Sequence, residues 1–407
     1  MAPVALFLLT IAGIFLIGAL GEIVFKRTRV PDVVWLLVAG VMLGPVTGTV
    51  TPEDLAAIAP FFGALTLVVV LFNGGTQLDL PQILRAAPRS SLLSLLTFLV
   101  TVAVVAACTM PLRSIGWFPA EWTWTHGLLL GCILGGSSSI IVMPAMLLSR
   151  IEDRTASLIN LESAFTDAFC VVGATALIQI LLARGDETVS AGATLMRSFG
   201  LGASLGLAAG FGWLVVLRAL HSSEHAYPVT LAALLILYVA IDAAGGSAAL
   251  GILAFAVVVG NAEHFKGILK LEEDFILSDD VRGFHQQVTF IVKSFFFTFI
   301  GAMLTPPWSL VAIGLGLGVV LLIARAPAVW LSLWGGGFTA DSVRVVTIAM
   351  PRGLAAGVLA SMPMAAGVPG TSHLPALVFA AVISSILIFT VGLPMAHRLA
   401  PPASPSA

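Results

Sequence analysis

The chain has 407 residues, of which 58% are hydrophobic and only 10% charged, with a formal net charge of −2. Soluble domains carry roughly 25% charged residues, so a water-soluble globular protein is excluded, and a disordered chain would need the opposite balance. No basic stripe offers nucleic acid a footprint, and the composition points to an all-α polytopic membrane protein.

A helix needs roughly 20 mostly apolar residues to cross the hydrocarbon core. Such runs predict about thirteen helices, at 4–25, 32–49, 58–76, 90–112, 125–148, 155–183, 190–217, 227–243, 246–262, 287–304, 307–335, 341–362 and 372–396. The first run is followed, not preceded, by its positive residues Lys26, Arg27 and Arg29, so it is expected to be a span and not a cleaved signal. Cys108, Cys132 and Cys170 lie in apolar stretches without disulfide or zinc spacing and read as small buried hydrophobes. No cofactor is expected.

Positive residues mark cytoplasmic loops. With the N-terminus outside, thirteen Lys and Arg fall in inside segments, and only Arg113 and Arg184 in outside loops. This split predicts an inner (plasma) membrane protein with its N-terminus outside and its C-terminus cytoplasmic. The acidic stretch in 263–286 reads as a solvated cytoplasmic helix and loop, and 397–407 as a disordered tail.

Two runs are interrupted in mid-span. GGSSSIIVMP (135–144) brings Ser137, Ser138, Ser139 and two glycines ahead of Pro144, and AMPRGLAAG (349–357) brings Pro351, Arg352 and Gly353. Proline removes a helix hydrogen bond and glycine weakens the helix. Broken helices at membrane depth are tolerated where they line a cavity or are packed in protein, and a matched pair of breaks points to a midplane ion site. Weak similarity between 38–44 and 255–261, and between 70–75 and 297–302, suggests two inverted six-helix repeats (spans 1–6 and 8–13) with span 7 as linker.

Four basic residues, Arg197, Lys293, Arg325 and Arg352, fall inside apolar runs, and span 6 carries two carboxylates in NLESAFTDAF, Glu162 and Asp167. A charge in a transmembrane helix costs several kcal/mol, about 2.5–3.5 on insertion scales, and is a functional hypothesis by default. A carboxylate paired with arginine stays ionised and structural, whereas an unpaired one in a dry site can exchange a proton near neutral pH. Glu162 is expected to pair with Arg352, leaving Asp167 free to titrate. Thr166 lies one turn from Glu162 on the same helix face.

The ordered set KRTRVPDVVWLLVAGVMLGP (26–45), LFNGGTQLDL (71–80), LESAFTDAF (161–169), TFIVKSFFFTFIGAML (289–304) and MPRGLAAGVLA (350–360) resembles the monovalent cation:proton antiporters, the sodium/proton exchanger superfamily. The resemblance implies a thirteen-span homodimer with two crossed discontinuous helices. Residues 1–89 (helices 1–3) and 185–304 (linker helix and helices 7–10) would form scaffold and dimerisation helices. Residues 90–184 (helices 4–6) and 305–396 (helices 11–13) would form a transport core. Asp167 would bind cation or proton in competition, and Ser163 would help ligate the metal ion Na⁺. Glu162 and Arg352 would form a stabilising ion pair, Ser137–Ser139 the unwound fifth-span peptide, and Arg325 a recurrent core arginine.

Three departures are visible. Thr166 stands where the family has Asn or Asp, the Ser-Ser-Ser run replaces an acidic fifth-span residue, and Lys293, expected with Arg325 and Ser137 among the core polar residues, stands where a neutral polar residue is common. Na⁺ is a hard cation, and Asp167, Ser163, Thr166, Ser138 and Ser139 could supply its oxygens. One carboxylate binding one Na⁺ or one H⁺ implies electroneutral 1:1 antiport by alternating access, with Li⁺ or K⁺ as alternative cargo. A K⁺/H⁺ antiporter and a sodium-coupled organic-anion symporter are the competing readings. A channel lacks a repeated filter sequence, and an enzyme lacks HExxH.

Overall fold

The computed structural model describes residues 3–28, 30–50, 52–76, 78, 88–149, 151–182, 188–220, 225–264, 279–304 and 307–398. Most of the acidic stretch in 263–286 and the tail beyond Arg398 lie outside the described residues, as do Arg29, Asp79, Arg150 and Arg184.

Fifteen α-helices occupy the described residues. In chain order they are α1 (Pro3–Thr28), α2 (Asp32–Val41), α3 (Pro52–Thr76), α4 (Pro88–Ser114), α5 (Trp124–Ile133), α6 (Ser139–Leu148), α7 (Asp153–Leu182), α8 (Thr188–Ala219), α9 (Ala226–Ala243), α10 (Ala248–Gly260), α11 (Asp279–Ala302), α12 (Trp308–Leu333), α13 (Ala340–Ile348), α14 (Leu354–Ala365) and α15 (Leu374–Arg398). This is an all-α polytopic membrane protein. Seven described helices are long and apolar enough to cross a membrane alone, and shorter apolar helices accompany them. Large apolar side chains such as Leu16, Leu20, Ile236 and Ile323 point outward, as a lipid-facing surface requires.

Local chemistry sets the ends and breaks. Thr339 and Ser247 cap α13 and α10 by accepting the backbone N–H of Ser342 and Leu250. Pro45 has no N–H to give, and α2 runs on as a π turn over Met42–Val46. Helices α2 and α11 meet backbone to backbone, because Gly40 and Gly301 face each other where a Cβ on either would strike the opposite main chain.

Helices α4–α7 and α12–α15 pack mainly on one another, through α12 against α4 and α15 and α5 against α4 and α7. Helices α1–α3 and α8–α11 do likewise, through α10 against α3 and α8 and α2 against α11. Between the two sets run α3 against α14 and α7 and α11 against α14. The cavity described below lies in this seam.

Candidate functional site

The predicted interruptions separate α5 from α6 and α13 from α14. Both are non-helical: residues 134–138 in one case and 349–353 in the other. The two stretches touch. The Ser138 N–H donates to the Pro351 carbonyl at 2.9 Å, and Arg352 Nη1 donates to the carbonyl of Gly136. The Arg352 N–H donates to Ser385 Oγ on α15 at 2.9 Å. Backbone groups that leave a helix in a dry interior must find partners, and each break serves the other. Gly353 permits the approach, since a Cβ there would land on the side chain of Ser138.

Helix α7 lies beside this crossing. The Ser163 hydroxyl donates to the Ser137 carbonyl and accepts the Ser139 N–H, both at 2.8 Å. Thr166 Oγ1 donates to the Glu162 carbonyl and accepts the Ser137 N–H at 3.3 Å. Both hydroxyls are fully buried, and neither lines the cavity beside Asp167. This differs from the expectation of Na⁺ ligands: Ser163 and Thr166 fix the unwound peptide. Ser137 Oγ is buried with no hydrogen-bond partner.

Glu162 corrects the expected pairing. Its carboxylate accepts from Arg325 Nη1 at 2.5 Å and Nη2 at 2.6 Å, with Thr97 Oγ1 at 3.2 Å from Oε1. Arg325 Nε donates to the Val346 carbonyl at 3.0 Å, close to the end of α13. Glu162 is 0% and Arg325 1% exposed. Arg352 is not the partner because its segment is anchored at Ser385 and its guanidinium is turned to Gly136. Arg352 Nε has no hydrogen-bond partner among the described residues.

Lys293 is a second correction. It lies not at the crossing but on α11 against α1 and α2, with Nζ 2.5 Å from Asp32 Oδ2 and 3.5 Å from Glu22 Oε1. Its position in mid-run gave it the look of a core charge, but α11 turns that face to the acidic start of α2.

Asp167 makes no hydrogen bond or ion pair among the described residues. It lines a cavity of about 20 Å³ together with Asn73 and Gly74 of α3, Ser138 of the first break and Ser139 opening α6, Ala164 of α7, and Gly353 of the second break and Leu354 opening α14. One water-sized occupant needs roughly 10–15 Å³ on this measure, so the space suits a small ion or one water. The oxygen groups of Asp167, Ser138, Ser139 and Asn73 form a hard donor set, suited to an alkali cation. No cluster of three His, Cys, Asp or Glu exists among the described residues. Asn73 was missed from the sequence, although an amide within the apolar run LFNGG was the available signal. Thr97, in an ordinary apolar stretch, offered none.

A family model described as "Sodium/hydrogen exchanger, transmembrane" matches residues 11–396. The chain is 27% identical over 377 residues to "K(+)/H(+) antiporter NhaP" of Alkalimonas amylolytica, covering 91% of this chain and 62% of that protein. It is 29% identical over 417 residues to "K(+)/H(+) antiporter NhaP2" of Shewanella sp. (strain ANA-3), covering 96% and 67%. The chain thus spans about two thirds or less of the length of these relatives. The solved structure of the sodium proton antiporter MjNhaP1 from Methanocaldococcus jannaschii at pH 8 superposes with a TM-score of 0.74 at 18% identity, covering 97% of each chain, which establishes a shared fold.

Proposed function

This chain belongs to the sodium/hydrogen exchanger family, and from that membership we propose a secondary antiporter that exchanges one monovalent cation for one proton by alternating access. It is a transporter and not an enzyme. The observation that carries the reading is Asp167, a carboxylate without an ion-pair partner among the described residues, facing a small cavity where two broken helices cross. Cation and proton compete for this one carboxylate. Asn73, Ser138 and Ser139 supply neutral oxygens, and Ser163 and Thr166 hold the peptide that carries two of them.

Neutral oxygens around a single acid favour an alkali ion, because a divalent ion would leave uncompensated charge. The relatives named as K(+)/H(+) antiporters are more similar in sequence than the M. jannaschii "Na(+)/H(+) antiporter 1", at 21% identity. This favours K⁺ beside Na⁺, with Li⁺ as a smaller competitor. The organic-anion symporter reading loses support, since the matching family model and the named relatives are cation:proton antiporters.

The architecture we infer has thirteen spans, counting α5 with α6 and α13 with α14 as one broken span each. Spans 1–6 and 8–13 form inverted repeats, and the chain assembles as a homodimer. Residues 90–184 and 305–396 move as the core, and 1–89 and 185–304 form the scaffold. The preferential packing of α4–α7 with α12–α15 supports this division. The charge asymmetry of the loops supports an N-terminus outside and a cytoplasmic C-terminus in the plasma membrane. The test is exchange in proteoliposomes carrying a pH dye, with K⁺, Na⁺ and Li⁺ in turn. Loss of cation-driven proton movement in D167N supports the assignment, and retained exchange overturns it.

A further inference from the structure

We propose that Arg352 is the resident counter-charge of the unloaded Asp167 site and keeps cation affinity low enough for the ion to leave; this rests on Asp167 being the cation site.

The buried centre contains two acids and two bases: Glu162, Asp167, Arg325 and Arg352. Glu162 and Arg325 satisfy each other through two short hydrogen bonds. That leaves Arg352 1% exposed, with one side-chain hydrogen bond, to a neutral carbonyl, and Nε without a partner. An uncompensated buried charge is expensive, so the guanidinium needs a negative charge nearby.

The intervening residue identifies that charge. Gly136 accepts Arg352 Nη1 through its carbonyl, and the position a Cβ would take on Gly136 lies 3.2 Å from Asp167 Oδ1. Guanidinium and carboxylate therefore flank a single residue. They are near enough to feel each other's charge, and they form no ion pair among the described residues. The same position lies 3.0 Å from Cys170 Sγ, a thiol that carries no compensating charge in the neutral form.

The charge count follows. Unloaded, the four groups sum to zero. With a bound cation the sum is +1, and with a bound proton it is also +1. Arg352 thus opposes both cargoes equally. It weakens binding without favouring either, and a bare aspartate in the same dry cavity would hold its ion more tightly. Arg352 is in this sense a positioning and affinity-setting residue that does not touch the ion.

The test uses the full chain in proteoliposomes with KCl or NaCl as probe. Removing the charge in R352Q or R352M should lower the apparent KM for the cation by about tenfold while kcat falls, as release slows. In purified protein, the salt concentration giving half-maximal thermal stabilisation should fall likewise. R352K, which restores the charge, should stay within about threefold of wild type. A merely structural arginine would lower kcat with KM unchanged or raised, and that result overturns the proposal. If neither neutral variant accumulates, R352K decides: a KM within threefold supports it, and a tenfold change in KM rejects it. D167N run in parallel separates the two ideas. Exchange retained in D167N removes the site itself, whereas exchange lost in D167N with an unchanged KM in R352Q removes only the role of Arg352.

Discussion

Arg325 grips Glu162 through both terminal nitrogens, at 2.5 and 2.6 Å, where neither side chain reaches solvent. The fork ties α12 to α7, and its Nε reaches on to the end of α13. Removing one partner of a buried pair leaves an unpaired charge and costs about 3–5 kcal/mol. E162Q and R325M should each lower the unfolding temperature in detergent and reduce the monodisperse yield. The double variant E162Q/R325M should recover part of the loss. Two single losses that simply add would show that the pair acts through separate neighbours.

Asp167 has the opposite environment, a cavity on one side and no ion pair. D167N should bring cation-driven proton movement to background while leaving folding intact. D167E keeps the charge but adds a methylene within about 20 Å³. It should retain exchange at a rate reduced at least about tenfold, since misplacing a reacting group by about 1 Å commonly costs more than that. Matching size-exclusion profiles for both variants would show that chemistry and not folding is affected.

The difference between these two acids, five residues apart on one helix, was partly legible in the sequence. Hydropathy located the apolar runs that hold the described helices, seven of them long enough to span a membrane alone. Glycine and proline located both breaks, and helical periodicity separated Glu162 from Asp167. The partner of Glu162 was not legible. Arg325 and Arg352 both sit in apolar runs of the second half, and the choice between them depends on how α12 rotates against α4 and α7. Lys293 misled for the same reason, since a mid-run lysine reads alike whether it faces an ion site or Asp32. Asn73 reaches the cavity only because α3 packs on α14 and α7, a long-range contact with no local signature.

The crossing makes a steric prediction. Gly353 has an extended backbone that alanine can adopt, so the consequence of G353A is contact alone. Its Cβ would meet the side chain of Ser138 and push apart the two breaks. Overpacking of this kind costs typically about 1–3 kcal/mol. Thermal stability should fall in G353A and recover partly in S138G/G353A, where the colliding side chain is gone. A double variant no better than G353A would mean that Gly353 is needed for some other reason.

Exchange of one cation for one proton at one carboxylate moves no net charge. A potential clamped with valinomycin at about 100 mV biases each net charge by about 2.3 kcal/mol. Na⁺/H⁺ exchange rates in proteoliposomes should therefore be almost flat against the clamped potential, whereas a cycle carrying one charge would respond several-fold.

Lys293 is the other mid-span charge that could take part in the cycle, and its contacts lie elsewhere. It is held by Asp32 at 2.5 Å and Glu22 at 3.5 Å, and it does not line the cavity beside Asp167. K293Q should then keep electroneutral exchange, flat against the same clamped potential. Its thermal stability should fall only modestly, because Glu22 is 53% exposed and water screens part of the interaction. Voltage dependence that differs between K293Q and wild type would instead place Lys293 in the transport cycle and remove the basis for a one-carboxylate stoichiometry.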